Sequence, residues 1–348
     1  MNPADLVPTP VPIPVPGDWF TVLLLATFVI HILLMNAVVG GAALALFTRK
    51  PPDGLTPAKP LAASLTILLA LTINFGVAPF LFLQVNYGHF DYVSSVLMGG
   101  WWLAVIGLLI IGYYALYLYK FGFGGSTSGK NFFLAVGLVI LLWIAFMFTN
   151  NMTLMIRPEK WADYFTKGVF LNWDDPSLYP RWLHMVTAAL AVGGLFAALL
   201  CRHRGDKAGE QIGLNWFTKG TLVNLAFGIW FLLALPQSVM LKFIGGHIGA
   251  TVFLVLSLMG AGLILAAGFT GRTVMAAGLT VVTVTLMAIV RHYVRVFTLK
   301  PLGGDVANIP VTGQYSSLVL FLAVLVLGLG LIWWMVRMAL NASAGKEA

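Results

Sequence analysis

Long apolar runs cover almost the whole chain and leave little room for anything except membrane-spanning helices. A helix needs roughly 20 apolar residues to cross the hydrocarbon core of a bilayer. Only 9% of the 348 residues are charged and 59% are hydrophobic, which would give a soluble protein too little polar surface. The sequence therefore predicts an all-α, polytopic transmembrane helical bundle with about nine spans, at residues 18–47, 60–84, 95–119, 131–152, 179–201, 215–242, 247–269, 272–297 and 314–339.

The predicted spans leave one membrane domain, residues 18–340, with a short tail at each end. Residues 1–17 are rich in proline, which predicts an extended tail on the outer side. No basic segment precedes a short apolar one there, so we expect no cleaved signal peptide. Residues 341–348 are predicted to form a cytoplasmic tail.

Basic residues are concentrated on one side of the predicted bundle. Lys and Arg favour the cytoplasmic side of a membrane. If the N-terminus lies outside, twelve of the 20 basic residues and only four of the 12 acidic ones fall on the inner side. We therefore expect an outer N-terminus and a cytoplasmic C-terminus in a bacterial inner membrane. The twelve inner basic residues are Arg49, Lys50, Lys59, Lys120, Lys130, Arg202, Arg204, Lys207, Lys219, Arg272, Arg337 and Lys346.

The single cysteine, Cys201, limits which redox centres the chain can build by itself. It excludes an internal disulfide, a CxxCH c-type haem attachment and an iron–sulfur cluster, so any such centre must belong to a partner. The net charge of +8 is explained by membrane topology, because the chain has no soluble basic domain to bind nucleic acid.

Three histidines share one depth range in the predicted outer half of the membrane. His31 lies in the first span, His184 near the outer end of the fifth and His292 near the outer end of the eighth. Ionisable side chains inside spans are costly and are candidate functional residues; the alternative is a hydrogen bond between helices. Neutral imidazole binds haem iron well, whereas zinc sites normally have tighter clustering or thiolates. Three such histidines on one side favour haem ligation.

Glycine follows two of these histidines at the same interval. Gly40 comes nine residues after His31, and Gly193 nine residues after His184. Small residues let helices, or a flat macrocycle, approach closely, and ordinary helix packing explains these glycines equally well. The chain shows no sequence repeat of fixed period.

The sequence around these positions resembles subunit I of the cytochrome bd quinol oxidases over nearly all nine spans, as a divergent short form. In the first and fifth spans the family carries a histidine with glycine nine residues later. Its second span has Ile-Asn-Phe with a glutamine near the helix end, and its fourth has Trp-Ile followed by asparagine. The matching residues here are His31, Gly40, Ile73-Asn74-Phe75, Gln84, Trp143-Ile144, Asn150 and Trp182-Leu183-His184-Met185-Val186 with Gly193.

The resemblance implies a haem b protein, with two or more haems in the membrane domain. The family's low-spin haem uses the fifth-span histidine and a methionine of the seventh span, which here implies His184 and Met259. The resemblance also implies that His31 and His292 face each other, either each binding a haem or both binding the same one. Methionine is more often a packing residue, so the assignment of Met259 as a ligand depends on the helix in which it lies and on its predicted depth in the membrane.

Two arginines flank His292 and complete the set of candidate residues. The resemblance implies that Arg291 and Arg295 pair with haem propionates, as planar cations that bind carboxylates. Anchoring at the membrane interface is the alternative for both. Because the family works as a heterodimer, a second membrane subunit is expected by analogy alone.

Several departures from the family pattern bear on activity. The family ends its eighth span with Glu-Tyr-Gly-Arg, whereas this chain has His292-Tyr293-Val294-Arg295. The third span, 95–119, contains no acid, and no predicted span carries a carboxylate suited to relay protons inward. The family's long outer quinol loop is also missing, since residues 240–247 leave almost no room for it. The family's quinol site therefore does not carry over.

Three functions remain open. The first is a haem b membrane subunit that transfers electrons between the quinone pool and a periplasmic c-type cytochrome or iron–sulfur partner. The second is a divergent terminal oxidase that reduces oxygen with quinol. The third is a haem-free membrane scaffold or transporter, which predicts a colourless protein with replaceable histidines. The departures favour the first.

Overall fold

The computed structural model of the protein describes residues 3–48, 57–122 and 129–344. In this part of the chain nine helices are long and apolar enough to cross a membrane. The prediction of an all-α, polytopic membrane protein is confirmed. The helices are α1 (Gly17–Phe47), α2 (Ala58–Met98), α3 (Gly100–Phe121), α4 (Lys130–Met155), α5 (Leu178–His203), α6 (Lys207–Leu233), α7 (Ile248–Phe269), α8 (Thr273–Leu299) and α9 (Tyr315–Ala344).

Helix α2 is much longer than the predicted second span, which ended at residue 84. It continues to Met98 through a kink at Tyr87, whose φ of −135° is not helical. Gly99 then separates α2 from α3, because its positive φ of 50° favours glycine. His89, which falls between the predicted second and third spans, therefore lies in a helix.

Helix α6 begins eight residues earlier and ends nine residues earlier than the predicted span at 215–242. Its start is fixed by the Asp206 carboxylate, which accepts a hydrogen bond from the Gly209 amide at 2.8 Å and caps the helix. It ends before Pro236, since proline has no amide proton and cannot continue a helix. Lys219, which the sequence assigned to the inner side, therefore lies halfway along a membrane helix. That placement corrects one of the twelve residues behind the predicted orientation.

The first eight helices form two similar halves, α1–α4 and α5–α8. In each half the first helix packs closely on the second and the third on the fourth. Helices α1 and α5 pack against each other between the halves, and the contact of α8 with α1 mirrors that of α4 with α5. The sequence shows no repeat of fixed period, yet equivalent positions such as His31 and His184 are 153 residues apart. The fold is thus internally repeated.

Helices α1 and α5 cross where Gly40 and Gly193 meet. A Cβ atom on Gly40 would lie 2.9 Å from the Gly193 Cα atom and closer still to the carbonyl group of Ala189. The two backbones are therefore in direct contact, which a larger residue would prevent. Both glycines serve helix packing, which is one of the two roles that the sequence left open.

The N-terminal tail docks onto the bundle. It has no helix between residues 7 and 16, and Ile13 forms a bridge to Val311. The Ile13 amide donates to the Pro310 carbonyl at 2.8 Å, and the Thr312 amide donates to the Ile13 carbonyl at 2.9 Å. The tail and the α8–α9 connection therefore cover the same end of the bundle.

The α4–α5 connection lies at that end too. Trp161 is buried, and its Nε1–H donates to the Leu154 carbonyl at 3.0 Å. The Lys160 ammonium, which donates a hydrogen bond to Asp174, holds the pKa of that carboxyl below its usual value. We call this end of the molecule, formed by the tail and these two connections, the outer cap, after the side of the membrane that the sequence predicts for it.

Helix α9 is the most peripheral of the nine. It touches the bundle near its start, where Leu318 packs with Phe20 and Phe321 meets Phe82 with ring centroids 6.0 Å apart. Residues 1–2 and 345–348 of the tails lie outside the described residues. So do three of the basic residues behind the predicted orientation, which are Arg49, Lys50 and Lys346.

Candidate functional site

His31 is held against α2 by its imidazole. Its Nδ1 atom lies 3.0 Å from the carbonyl oxygen of Thr72. Because a carbonyl only accepts hydrogen bonds, Nδ1 carries the proton, and in the neutral imidazole Nε2 then keeps its lone pair. The ring lies over Gly76, where a Cβ atom would be 2.8 Å from the His31 Cε1 atom. Glycine at this position makes room for the ring.

His184 has the same arrangement in the second half of the molecule. Its Nδ1 atom lies 3.1 Å from the carbonyl oxygen of Asn224, and a Cβ atom on Gly228 would be 3.0 Å from its Cε1 atom. The Asn224 side chain also donates to the His184 carbonyl at 2.6 Å and to the Thr187 hydroxyl at 3.1 Å. In each half, the residue whose carbonyl accepts from the imidazole precedes the glycine by four positions.

This geometry prepares each ring for a ligand at Nε2. A metal-bound histidine usually donates its other ring N–H to a carbonyl or carboxylate, which fixes both tautomer and orientation. For His31 and His184, Nε2 has no hydrogen-bond partner among the described residues, whereas Nδ1 is engaged in both. The structure thus presents two imidazoles with Nε2 as a free electron-pair donor.

Three arginines converge near these histidines. Arg291 lies over the Phe28 ring with its Cζ atom 4.4 Å from the centroid, and Phe28 precedes His31 by one helical turn. Arg181, one turn before His184, lies over Phe231 at 4.9 Å. Arg291 is close enough to Arg181 and Arg295 for mutual repulsion.

The three arginines have no direct counter-charge. In the described part of the chain, none of their guanidinium groups forms an ion pair with a carboxylate within 4.0 Å, and the Nε atom of Arg181 is buried without a hydrogen-bond partner. Burying an unpaired charge costs several kcal/mol, about as much as breaking a buried ion pair. Anionic ligand groups at this position would offset that cost, and bidentate carboxylates suit guanidinium geometry best.

His292 and Met259 are less well placed. The Nδ1 atom of His292 is buried without a partner among the described residues, and no hydrogen bond joins it to His31. Met259 is 61% exposed and lies on the face of α7 opposite the buried Ser257 and Ala261. The pairings of His31 with His292 and of His184 with Met259 stay predictions.

A buried carboxylate lies beside the arginines and was missed in the sequence. Asp91 is fully buried on the extension of α2 and accepts a hydrogen bond from Gln84 Nε2 at 3.1 Å. It attracts Arg295 electrostatically without a direct ion pair, and Arg295 lies over the Tyr87 ring at 5.4 Å. Because the predicted second span stopped at residue 84, Asp91 appeared to belong to a connection.

Other participants also escaped prediction. Arg181 could have been recognised from the sequence, since it precedes His184 by three residues on the same helix and therefore lies on the same face. The carbonyls of Thr72 and Asn224 could not have been predicted, because any backbone carbonyl can accept a hydrogen bond. Gly76 and Gly228 can be recognised as the residues that make room for the histidine rings only when the register between the paired helices is known.

Comparisons with known proteins do not identify the chain. No family model matches it, and no curated protein matches its sequence. Among the described residues no three His, Cys, Asp or Glu side chains gather as a cage for a bare metal ion. A haem iron needs only one or two axial side chains, so the isolated imidazoles of His31 and His184 fit haem.

Proposed function

We propose that this chain is the haem b-containing membrane subunit of a respiratory complex, divergent from the cytochrome bd quinol oxidases. It transfers electrons between the quinone pool and a periplasmic c-type cytochrome or iron–sulfur partner. The observation that carries the proposal is the repeated arrangement of His31 and His184, in which Nδ1 is bonded to a carbonyl and Nε2 is free.

The residues at hand fit the cofactor. His31 and His184 would supply axial nitrogens, with His292 and Met259 as the proposed second ligands. Arg181, which the structure adds to the predicted pair Arg291 and Arg295, would pair with propionate carboxylates. Haem bound in this way supplies one-electron transfer. The protein orients the imidazoles through backbone carbonyls and places fixed positive charge beside them, which stabilises a reduced cofactor relative to an oxidised one.

The partners follow from what this chain lacks. Its single cysteine is buried, so a c-type haem or an iron–sulfur cluster must belong to another subunit. The candidate histidines and arginines lie toward the outer cap, and we propose that the electron partner docks there. A second membrane subunit is part of the same proposal.

A terminal oxidase is the second candidate, and Asp91 favours it. Oxygen reduction consumes protons and needs titratable groups near the site. The predicted spans offered no carboxylate suited to relay protons inward, whereas the structure places Asp91 in a helix beside Arg295 and Gln84. Oxygen uptake by the isolated complex with a quinol would distinguish an oxidase from an electron-transfer subunit.

The haem content of the isolated complex tests the proposal directly. We expect a pyridine haemochrome assay to show haem b, because the two imidazoles and three arginines match its iron and propionates. His203→Ala, which changes an exposed histidine at the opposite end of α5, should leave the content unchanged. A colourless complex would contradict both the electron-transfer and the oxidase proposals and would favour a scaffold or transporter.

We also propose that the outer cap faces the periplasm, with the N-terminus outside. Ala307 in the cap and Ala208 at the other end of the bundle are both exposed, and native Cys201 is buried. In intact cells, a membrane-impermeant maleimide should label Ala307→Cys and not Ala208→Cys. The reverse labelling would show that the orientation is inverted.

A further inference from the structure

A groove runs between α5 and α6 on the membrane-facing surface. Its volume is about 520 Å³, within the range of small-molecule sites. It lies on the inner side of His184 and begins one helical turn away from it, at Thr187. The residues that line it are Thr187, Leu190, Ile212, Asn215, Trp216, Lys219, Gly220 and Val223.

Lys219 is the unusual member of this lining. It lies halfway along α6, which has 27 residues, so the helix places it about 18 Å from the start and about 21 Å from the end. It is exposed and forms no ion pair among the described residues. An ammonium group near the centre of a bilayer is costly and marks a candidate functional site.

The depth of Lys219 selects the kind of ligand. Lipid phosphates lie at the edge of a hydrocarbon core about 30 Å thick, roughly 15 Å from its centre. The four-carbon stem of a lysine spans only a fraction of that distance. A ligand for Lys219 must therefore bring its hydrogen-bond acceptor into the hydrocarbon region, as a lipid-soluble ring with carbonyl oxygens does.

The rest of the groove suits such a ring. Trp216 offers an indole face for stacking, and Leu190, Ile212 and Val223 offer apolar walls. Helices α5 and α6 approach closely beside the groove at Gly220, where a Cβ atom would lie 2.8 Å from the Ala191 amide nitrogen. A lipid-soluble ring in the groove would meet the Lys219 ammonium as a hydrogen-bond donor on one side and apolar surface on the others.

The groove is coupled to the candidate haem ligand. The Thr187 hydroxyl, at its outer end, donates to the Leu183 carbonyl at 2.8 Å and accepts from Asn224. Asn224 is the residue whose carbonyl holds the His184 ring. A ring bound in the groove would therefore lie within about two helical turns of His184, roughly 11 Å along the helix axis.

We propose that this groove is the quinone site, with Lys219 as the hydrogen-bond donor to a quinone carbonyl oxygen and Trp216 as its stacking partner. The inference rests on the proposed function and supplies the substrate site that the missing outer loop leaves open. It places quinone in the membrane-facing groove of the second half, on the inner side of His184.

Photolabelling tests the site without relying on haem. An azidoquinone with a short alkyl chain is illuminated with the whole complex in detergent, and the labelled peptides are mapped by mass spectrometry. We expect labels on residues 212–223, lowered at least tenfold in Lys219→Met. Lys59→Met, at an exposed position outside the groove, should label like the unmodified protein.

A second readout separates this inference from the proposed function. In Lys219→Met and in Trp216→Leu, haem b content should be unchanged, whereas reduction of the haem by a short-chain quinol should slow at least tenfold. Labels outside the groove, or full labelling of Lys219→Met, would overturn the quinone site even with haem present. Loss of labelling by added anionic phospholipid, but not by quinone, would assign the groove to a lipid instead. Labelling of a complex without haem would support the site and contradict the haem proposal.

Discussion

His184→Ala is expected to abolish the low-spin haem b spectrum of the isolated complex while the protein remains folded. In the proposed haem protein this imidazole is the iron ligand that α5 would supply, and its Nδ1 atom is fixed by the Asn224 carbonyl at 3.1 Å. Alanine removes the donor atom and leaves no other histidine among the described contacts of Asn224. Reduced-minus-oxidised absorbance and electron paramagnetic resonance would measure the loss.

A matched pair of glycine variants separates ligation from packing. Gly228→Ala keeps the imidazole but places a methyl group 3.0 Å from its Cε1 atom, so it should shift the low-spin signal without abolishing it. Gly262→Ala, on α7 where a Cβ atom meets nothing within 4 Å, should leave the spectrum unchanged. Retention of the full low-spin signal in His184→Ala would show that the ligand assignment is wrong.

Variants in the first half of the molecule should change a separate part of the haem spectrum. His31→Ala and His292→Ala are expected to alter a spectral component other than the one that depends on His184, because His31 is held by a different helix pair. Gly76→Ala should perturb that same component, since its methyl group would lie 2.8 Å from the His31 ring. Identical losses in all the histidine variants would instead indicate collapse of the fold.

Gly193→Val is expected to cause the largest loss of stability of any single change considered. The new side chain would have to enter the space that the Gly40 backbone occupies, because the Cα and carbonyl groups of the two helices touch. Overpacking a tight interface costs typically 1–3 kcal/mol and sometimes more, and here backbone is the obstacle. We expect a cost of about 3 kcal/mol or more, together with loss of haem from both halves.

The measurement is thermal unfolding of the complex in detergent, followed by haem release and by helical circular dichroism. Gly262→Val is the control, because it makes the same change in helix propensity at a position with open space around it. A lowered melting temperature in Gly193→Val alone would confirm that α1 and α5 are joined at this crossing. Equal shifts in both variants would attribute the effect to helix propensity instead.

Much of the fold could be predicted from the sequence because membrane insertion depends on local properties. The apolar runs predicted all nine spans of the described residues, and they differ from the observed helices mainly at their ends. The two largest errors, in the bounds of α2 and of α6, have separate causes. The extension of α2 to Met98 brings aromatic and polar residues into a helix beyond the apolar run, and Pro236 ends α6 earlier than hydropathy alone suggests.

The candidate site was predicted only in part. Histidines inside apolar runs are visible in any sequence, so His31, His184 and His292 were found before the fold was known. Asp91 and Lys219 were misplaced because the span boundaries were wrong, and Arg181 was not predicted. The internal repeat was hidden, since it is conserved in helix pairing and in two histidine–glycine intervals rather than in residue identity.

Hydrophobic length and charge placement are properties of short segments, and they therefore predict a multi-pass helical membrane protein with ionisable residues inside its spans. Packing between helices sets which carbonyls hold His31 and His184, which arginines converge, and which groove contains Lys219. Those relations join helices far apart in the chain. They depend on the register set where backbones meet at Gly40 and Gly193, and no local pattern specifies that register. The three histidines are thus a sequence property, whereas the carbonyl contacts that fix the His31 and His184 rings are a property of the fold.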